Sequence, residues 1–255
     1  MPAKLKEHGF LFSELVKRDF KKKYKRTYLG MLWSLISPLI TLFVLTVIFK
    51  RFFGNDTPHY TIYVFCGNII FSFFSDATTG GMNSLIANAE IFSKVNLPKS
   101  LFLLSRIVSS LINFLLTFIV FIIFCGIDGI NFKWSFIALA IPIICLIVFN
   151  AGAGLVLSAL YVFFRDMQYL WSVFTMLLMY MSAIFYTVDM FSERVQALFL
   201  FNPIYVYIKY FRLVVIENSL PSLQFNLLAV GYAAFFFAIG ALIYKKCDHK
   251  FLYYL

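Results

Sequence analysis

RDFKKKYKRTYLGMLWSLISPLI, residues 18–40, passes from a polycation into hydrocarbon-soluble chain with no flexible linker between. Lys21, Lys22, Lys23, Lys25 and Arg26 cannot lie in hydrocarbon, where a cation at mid-bilayer costs roughly 3 kcal/mol or more. From Met31 to Phe49 no residue is charged. The basic run therefore fixes the side of a membrane on which the chain starts, and the apolar run carries it across. As a helix, residues 31–49 rise about 28 Å, close to the roughly 30 Å hydrocarbon core. Pro38 falls in the first half of this span and can kink it.

Upstream, residues 4–25 have helical amphipathicity. Leu11, Phe12, Leu15, Val16 and Phe20 share one face, and Lys17, Arg18, Lys21 and Lys25 share the other. Such a helix rests in the interface between water and lipid, lysines toward phosphates; a soluble amphipathic helix packed by the same face on a partner is the alternative. The whole composition agrees with a membrane protein. The chain is 62% hydrophobic and 13% charged, whereas a soluble domain carries about 25% charged residues. The net charge of +10 does not point to nucleic acid. Nine of the 22 Lys and Arg fall in residues 1–30, beside the first span, which suits anionic lipid.

Downstream, apolar stretches predict further spans over 60–83, 101–125, 135–164, 169–186 and 225–244. The stretch 135–164 is long enough to tilt or break, with Pro142 and Asn150 as candidate break points. Residues 88–99 are polar and read as a short helix outside the bilayer. Residues 190–216 are aromatic but cut by charges, and Asn202-Pro203 divides them into two short helices, since proline disfavours helix at the residue before it. The expected architecture is an all-α, single-domain membrane protein of six spans. Residues 1–30, 84–106, 165 and 245–250 hold 16 Lys and Arg, and the opposite loops hold six. The positive-inside rule then puts both termini in the cytoplasm.

Catalytic signatures are absent. There is no GxxxxGK[ST], HExxH or GxSxG, and the aspartates and histidines are scattered. Cys66, Cys125, Cys145 and Cys247 form no CxxC pair and read as small buried hydrophobes, so no metal is expected. Asp76 is the one clear intramembrane charge. It reads as a buried acid satisfied by Ser, Thr or Asn neighbours or by an Arg at a helix end, with a gating or substrate role, or ion coupling, as the alternative. A membrane enzyme of lipid-linked sugar metabolism is a further rival class without a candidate site.

Four segments carry a more specific signal. YKRTYLGMLWSLISPL (24–39), NSLIANAEIFSKVNLPKSLFLLS (83–105), FFRDMQYL (163–170) and LFNPIYVYIKYFR (200–212) occur in that order. Together they resemble the ABC-2 exporter permeases, in the polysaccharide, O-antigen and teichoic-acid branch. One departure is the sequence Ser182-Ala183-Ile184, where that family is expected to have Ser-Pro-Ile. The resemblance implies a permease subunit acting as a homodimer on two copies of a separate ATPase, which binds the ATP and magnesium. This chain itself then needs no cofactor. The substrate is expected to be a lipid-linked glycan, with teichoic acid as the alternative.

The resemblance also implies site residues. Glu90, Phe92, Lys94, Val95 and Pro98 belong to the segment expected to dock on the ATPase. Asn202, Pro203 and Arg212 belong to an outer gate, with Arg212 pairing to Asp189 or Glu193 or facing a substrate phosphate. Aromatics make up 20% of the chain, and aromatic faces suit the apolar C–H faces of sugars. Tyr28, Trp33, Tyr169, Tyr180 and Tyr186 are the candidates for the translocation path, alongside Trp171. Trp33 and Trp171 read equally as interfacial anchors.

Overall fold

A computed structural model describes residues 2–25, 27–53, 57–94 and 98–254. The described residues contain helices and no strands. In order, α1 is Pro2–Tyr24, α2 Trp33–Phe53, α3 Tyr60–Asn83, α4 Ala89–Lys94, α5 Ser100–Ile127, α6 Ala140–Phe163, α7 Met167–Met181, α8 Glu193–Phe199, α9 Pro203–Val215, α10 Leu223–Cys247 and α11 Phe251–Tyr254. Short 3-10 turns at Gly30–Leu32 and Trp134–Leu139 lead into α2 and α6.

Four of these helical stretches are long and apolar enough to cross a bilayer: Gly30–Phe52, Ser100–Ile127, Trp134–Phe163 and Leu223–Cys247. The pair α8–α9, bent by 103°, would make a fifth if it counted as one broken span. Two of the six expected spans fall short, for different reasons. Helix α3 carries Asn68, Ser72, Asp76 and Thr78, which lower its hydropathy. Yet 17 of its 24 residues are buried, so its surroundings are mostly protein. Helix α7 has 15 residues, which rise only about 22 Å.

Other boundaries differ from expectation in instructive ways. Helix α2 runs past Lys50 and Arg51, whose long stems let the charged heads reach the interface. Of the tilt or break that the length of 135–164 allows, no break falls at Pro142 or Asn150. Pro142 sits in the first turn of α6, where its missing N–H costs nothing, and the change of helix type precedes it. The polar segment 88–99 contains a helix of only six residues, α4.

The core is built on α3, which packs against α2, α5, α6, α7 and α9. Its buried aromatics interlock with neighbours: Phe65 meets Phe121 edge-on at 5.3 Å, and Phe73 tilts against Phe114 at 4.9 Å. Helices α6 and α10 lie closest of all. A Cβ on Gly152 would run into the backbone of Phe236 and Phe237, and one on Gly240 into the carbonyl of Gly152. Without a strong hydrophobic drive between helices in lipid, such backbone approach supplies the dispersion contacts. Cys66, Cys125 and Cys145 are buried and unbridged.

Helix α1 packs on the rest of the bundle, chiefly on α5. Leu15 and Val16 are buried, and Leu15 joins a cluster with Leu85, Phe102, Leu155, Tyr244 and Phe251. Buried Asp19 accepts a hydrogen bond from the Ser105 hydroxyl of α5 at 3.1 Å and pairs with Arg18. The tail closes the same end. Lys99 Nζ donates to the backbone carbonyl and Oδ1 of Asp248, and Phe251 is fully buried. At the opposite end His59 and Asp128, 2.6 Å apart, tie together the connections before α3 and after α5.

Candidate functional site

At the end of the bundle remote from α1, helix α7 stops at Met181 and an irregular stretch follows. Ala183 adopts a positive φ of 49°. The stretch lies directly on α3, because Gly67 has no side chain. A Cβ there would stand 3.0 Å from Ile184 Cγ2 and 3.2 Å from an Arg212 nitrogen. The departure from Ser-Pro-Ile thus falls where the helix ends. The Ser182 hydroxyl turns back to the Leu178 carbonyl at 2.6 Å.

Asn202 joins this stretch to α9. Its Oδ1 accepts from the amides of Ile204 and Tyr205, capping the helix, and Pro203 occupies the first helical position. Its Nδ2 donates to the Met181 carbonyl and the Ser182 hydroxyl. Asn202-Pro203 is therefore both the break between α8 and α9 and the pin that fastens α9 to the end of α7.

Arg212 is the centre of the far end. It is 6% exposed. Its guanidinium lies 3.4 Å from the centroid of the Tyr63 ring. It donates to the Tyr63 carbonyl from Nε and one terminal nitrogen, and from that nitrogen to the Ile184 carbonyl at 2.9 Å. The ion pair anticipated with Asp189 or Glu193 does not form. Carbonyls and an aromatic face hold the cation because the irregular stretch presents the Ile184 carbonyl to it. A cavity of about 390 Å³ adjoins, lined by Tyr63, Asp189, Gln196, Tyr205, Lys209, Arg212 and Glu217 among others.

The aromatic candidates separate into groups. Tyr180 and Tyr186 come together: the Tyr186 hydroxyl donates to the Tyr180 carbonyl at 2.7 Å, and the Phe185 ring meets both edge-on. Tyr169 is exposed at the other end of α7, and Tyr28 is exposed before α2. Trp171 packs edge-on against Phe74 and stacks on Phe174. Trp33 lines a groove of mixed polar and apolar side chains between α2, α3 and α5.

Asp76 has a partner that sequence reasoning did not name. Lys23 of α1 donates to both carboxylate oxygens at 3.0 Å. Of the docking candidates, Glu90, Phe92 and Lys94 lie on α4 and Pro98 precedes α5, where its carbonyl accepts from the Leu101 amide. Val95 lies outside the described residues.

Sequence reasoning also missed the groove. Ser34, Ser37 and Thr41 on α2 are spaced three and four apart. Asn68, Ser72 and Asp76 on α3 are spaced four and four. Ser110, Asn113 and Thr117 on α5 are spaced three and four. Each set marks one helical face. The shared period was the available signal; that the faces converge was not readable from one helix at a time.

Comparison with known proteins identifies the scaffold. Residues 11–216 match the ABC-2 type transporter family. The chain belongs to the ABC-2 transporters. Among similar ABC-2 proteins, two O-antigen export system permease proteins RfbA of Klebsiella pneumoniae are 29% and 30% identical, over 98% of both chains in each case. The RfbA permease of Myxococcus xanthus is 24% identical over 85% of this chain and 84% of its own. The polysialic acid transport protein KpsM of Escherichia coli is 22% identical over 92% of each.

Proposed function

We propose that this chain is the membrane-spanning permease subunit of an ATP-driven exporter that moves a lipid-linked polysaccharide, of O-antigen or capsule type, across the cytoplasmic membrane. The observation that carries the reading is the end-to-end match to the two K. pneumoniae permeases, which covers 98% of each chain. The match leaves no large segment of the chain unaccounted for, and the sequence holds no GxxxxGK[ST], HExxH or GxSxG. ATP and magnesium belong to a partner ATPase.

In this reading α3 and α7 complete six spans with the four long apolar helices. Both termini face the cytoplasm, supported by the 16-to-6 distribution of Lys and Arg. Two copies of the chain form the conduit. Supporting this, α2 has only 11% of its most apolar stretch buried, and no residue of α7 is buried. Residues 88–99, with α4 at their centre, dock on the ATPase. The kinked pair α8–α9 forms the outer gate, with Arg212 holding α9 against α3.

The test is genetic and biochemical together. Deleting the chain is expected to leave lipid-linked polymer trapped inside the cell, and restoring it returns polymer to the surface. Glu90→Lys is expected to leave the permease inserted while lowering ATP turnover and export in parallel. Surface polymer at the normal level in the deletion strain refutes the exporter reading. Unchanged turnover in Glu90→Lys refutes the docking role.

A further inference from the structure

We infer that the groove between α2, α3 and α5 is a binding site for a neutral, hydroxyl-rich ligand, one sugar unit of the exported polymer. The identity of the ligand rests on the exporter reading above; the existence of a polar site rests on the groove alone.

The groove encloses about 400 Å³, within the roughly 300–1,000 Å³ of small-molecule sites. Polar faces of three helices meet in it. Polar side chains inside a membrane protein face protein or an aqueous cavity, never lipid, because hydrocarbon offers them no hydrogen bond. Here packing does not satisfy them all. Asn68 is 7% exposed and Ser110 is 2% exposed, yet Asn68 Nδ2 and Ser110 Oγ have no hydrogen-bond partner among the described residues. A buried donor left so costs about 1–3 kcal/mol unless something enters to meet it.

The lining tells what enters. Ser34, Thr41 and Thr117 spend their hydroxyl hydrogens on carbonyls of their own helices, at Met31, Ser37 and Asn113. Their oxygens keep lone pairs free to accept. Asn68 and Ser110 supply the unspent donors. Pro38 has no amide hydrogen, so the Ser34 carbonyl loses its usual in-helix donor and becomes a further acceptor. A ligand whose groups both donate and accept, as sugar hydroxyls do, matches this mixture.

Charge narrows the class. Lys23 and Asp76 close one end of the groove and neutralise each other. Among the described residues no other ionised side chain lines it, so these residues favour a neutral ligand over an anion. Trp33, Phe73 and Phe114 supply apolar faces, against which the C–H faces of a sugar ring can lie. A lipid tail would waste the hydroxyls. From Asp76 to Asn68 along α3 the groove reaches about 12 Å, from the cytoplasmic interface toward mid-bilayer.

The test uses the whole exporter in membranes of cells making polymer from a radiolabelled sugar. A benzophenone amino acid replaces Thr41, at the rim. Illumination is expected to attach sugar label to the permease, and only when polymer synthesis is on. Asn68→Leu is expected to lower capture and export about tenfold, the value of one buried hydrogen bond. Ser110→Val, a smaller change, is expected to act in the same direction with normal insertion. Capture of phospholipid alone, capture of a second copy of the chain, or full export in both variants overturns the inference. If the deletion strain loses surface polymer while the Thr41 probe captures none, the groove falls and the exporter reading stands. If the deletion strain still displays polymer, the exporter reading falls.

Discussion

Replacing Arg212 by alanine tests the joint between α9, α3 and the stretch after α7. Three contributions disappear together. The stack on Tyr63, at 3.4 Å and out of water, is of the desolvated kind worth about 2 kcal/mol. The charge-assisted hydrogen bonds to Tyr63 and Ile184 are worth about 1.5–3 kcal/mol each. The Ile184 carbonyl is then left beside a space that the arginine filled. These figures do not add, because the released stretch relaxes toward solvent, so the net loss is about 3–5 kcal/mol. For a chain of this size that lowers the melting temperature by on the order of 10 °C. The assay is thermal unfolding of the purified exporter in detergent, followed by tryptophan fluorescence and by size-exclusion chromatography after heating. Arg212→Lys keeps the charge but loses the planar stack and the fork of donors, and is expected to recover less than half of the loss. A melting temperature for Arg212→Ala within about 2 °C of the parent would mean that the guanidinium is not a structural clamp. A drop in export without a drop in stability would move Arg212 to a role in passage.

Gly152→Val is expected to cost about 1–3 kcal/mol or more, since the atoms it meets are backbone and cannot turn aside. Gly231→Ala, with nothing within 4 Å of the added carbon, is expected to be neutral or slightly stabilising; equal damage in both would refute the close-approach argument. Asp76→Lys is expected to lower the yield of folded permease by setting two lysines together, and Lys23→Asp combined with Asp76→Lys to restore it. Because that pair is about a third exposed, neutral Asp76→Asn is expected to cost no more than about 1 kcal/mol in an unfolding measurement. A cysteine at Asp189 is expected to react with an impermeant reagent in intact cells and one at Lys246 only after permeabilisation; labelling of Lys246 from outside would break the six-span topology.

What the sequence disclosed and what it hid divide along one line. Periodicity along a single helix was legible. The apolar faces of α1, the basic run before α2 and the Asn202-Pro203 break each follow from residues within a few turns of one another. Relations between helices were not. Arg212 was expected to find an acid or a substrate phosphate, because charge is visible in sequence, whereas its partners within the chain are a tyrosine ring and two carbonyls, which are not. Asp76 was recognised as an acid needing a partner, but Lys23 lies 53 positions away and only the docking of α1 brings it near. The helix at α7 ends early for a similar reason. Its stop is set by the Ser182 turn and by the Asn202 amide arriving from another helix.

The cluster at the base draws Leu15, Phe102 and Phe251 into one contact group. Those residues belong to nearly opposite parts of the chain, so the order of synthesis constrains when the base can close. Helix α1 is made before α5, so its apolar face has Phe102 to meet only once α5 has been made. Phe251 follows later still. Until both are in place the pocket that takes Leu15 is incomplete. Closing the base therefore waits on α5 and α11, although α1 precedes both.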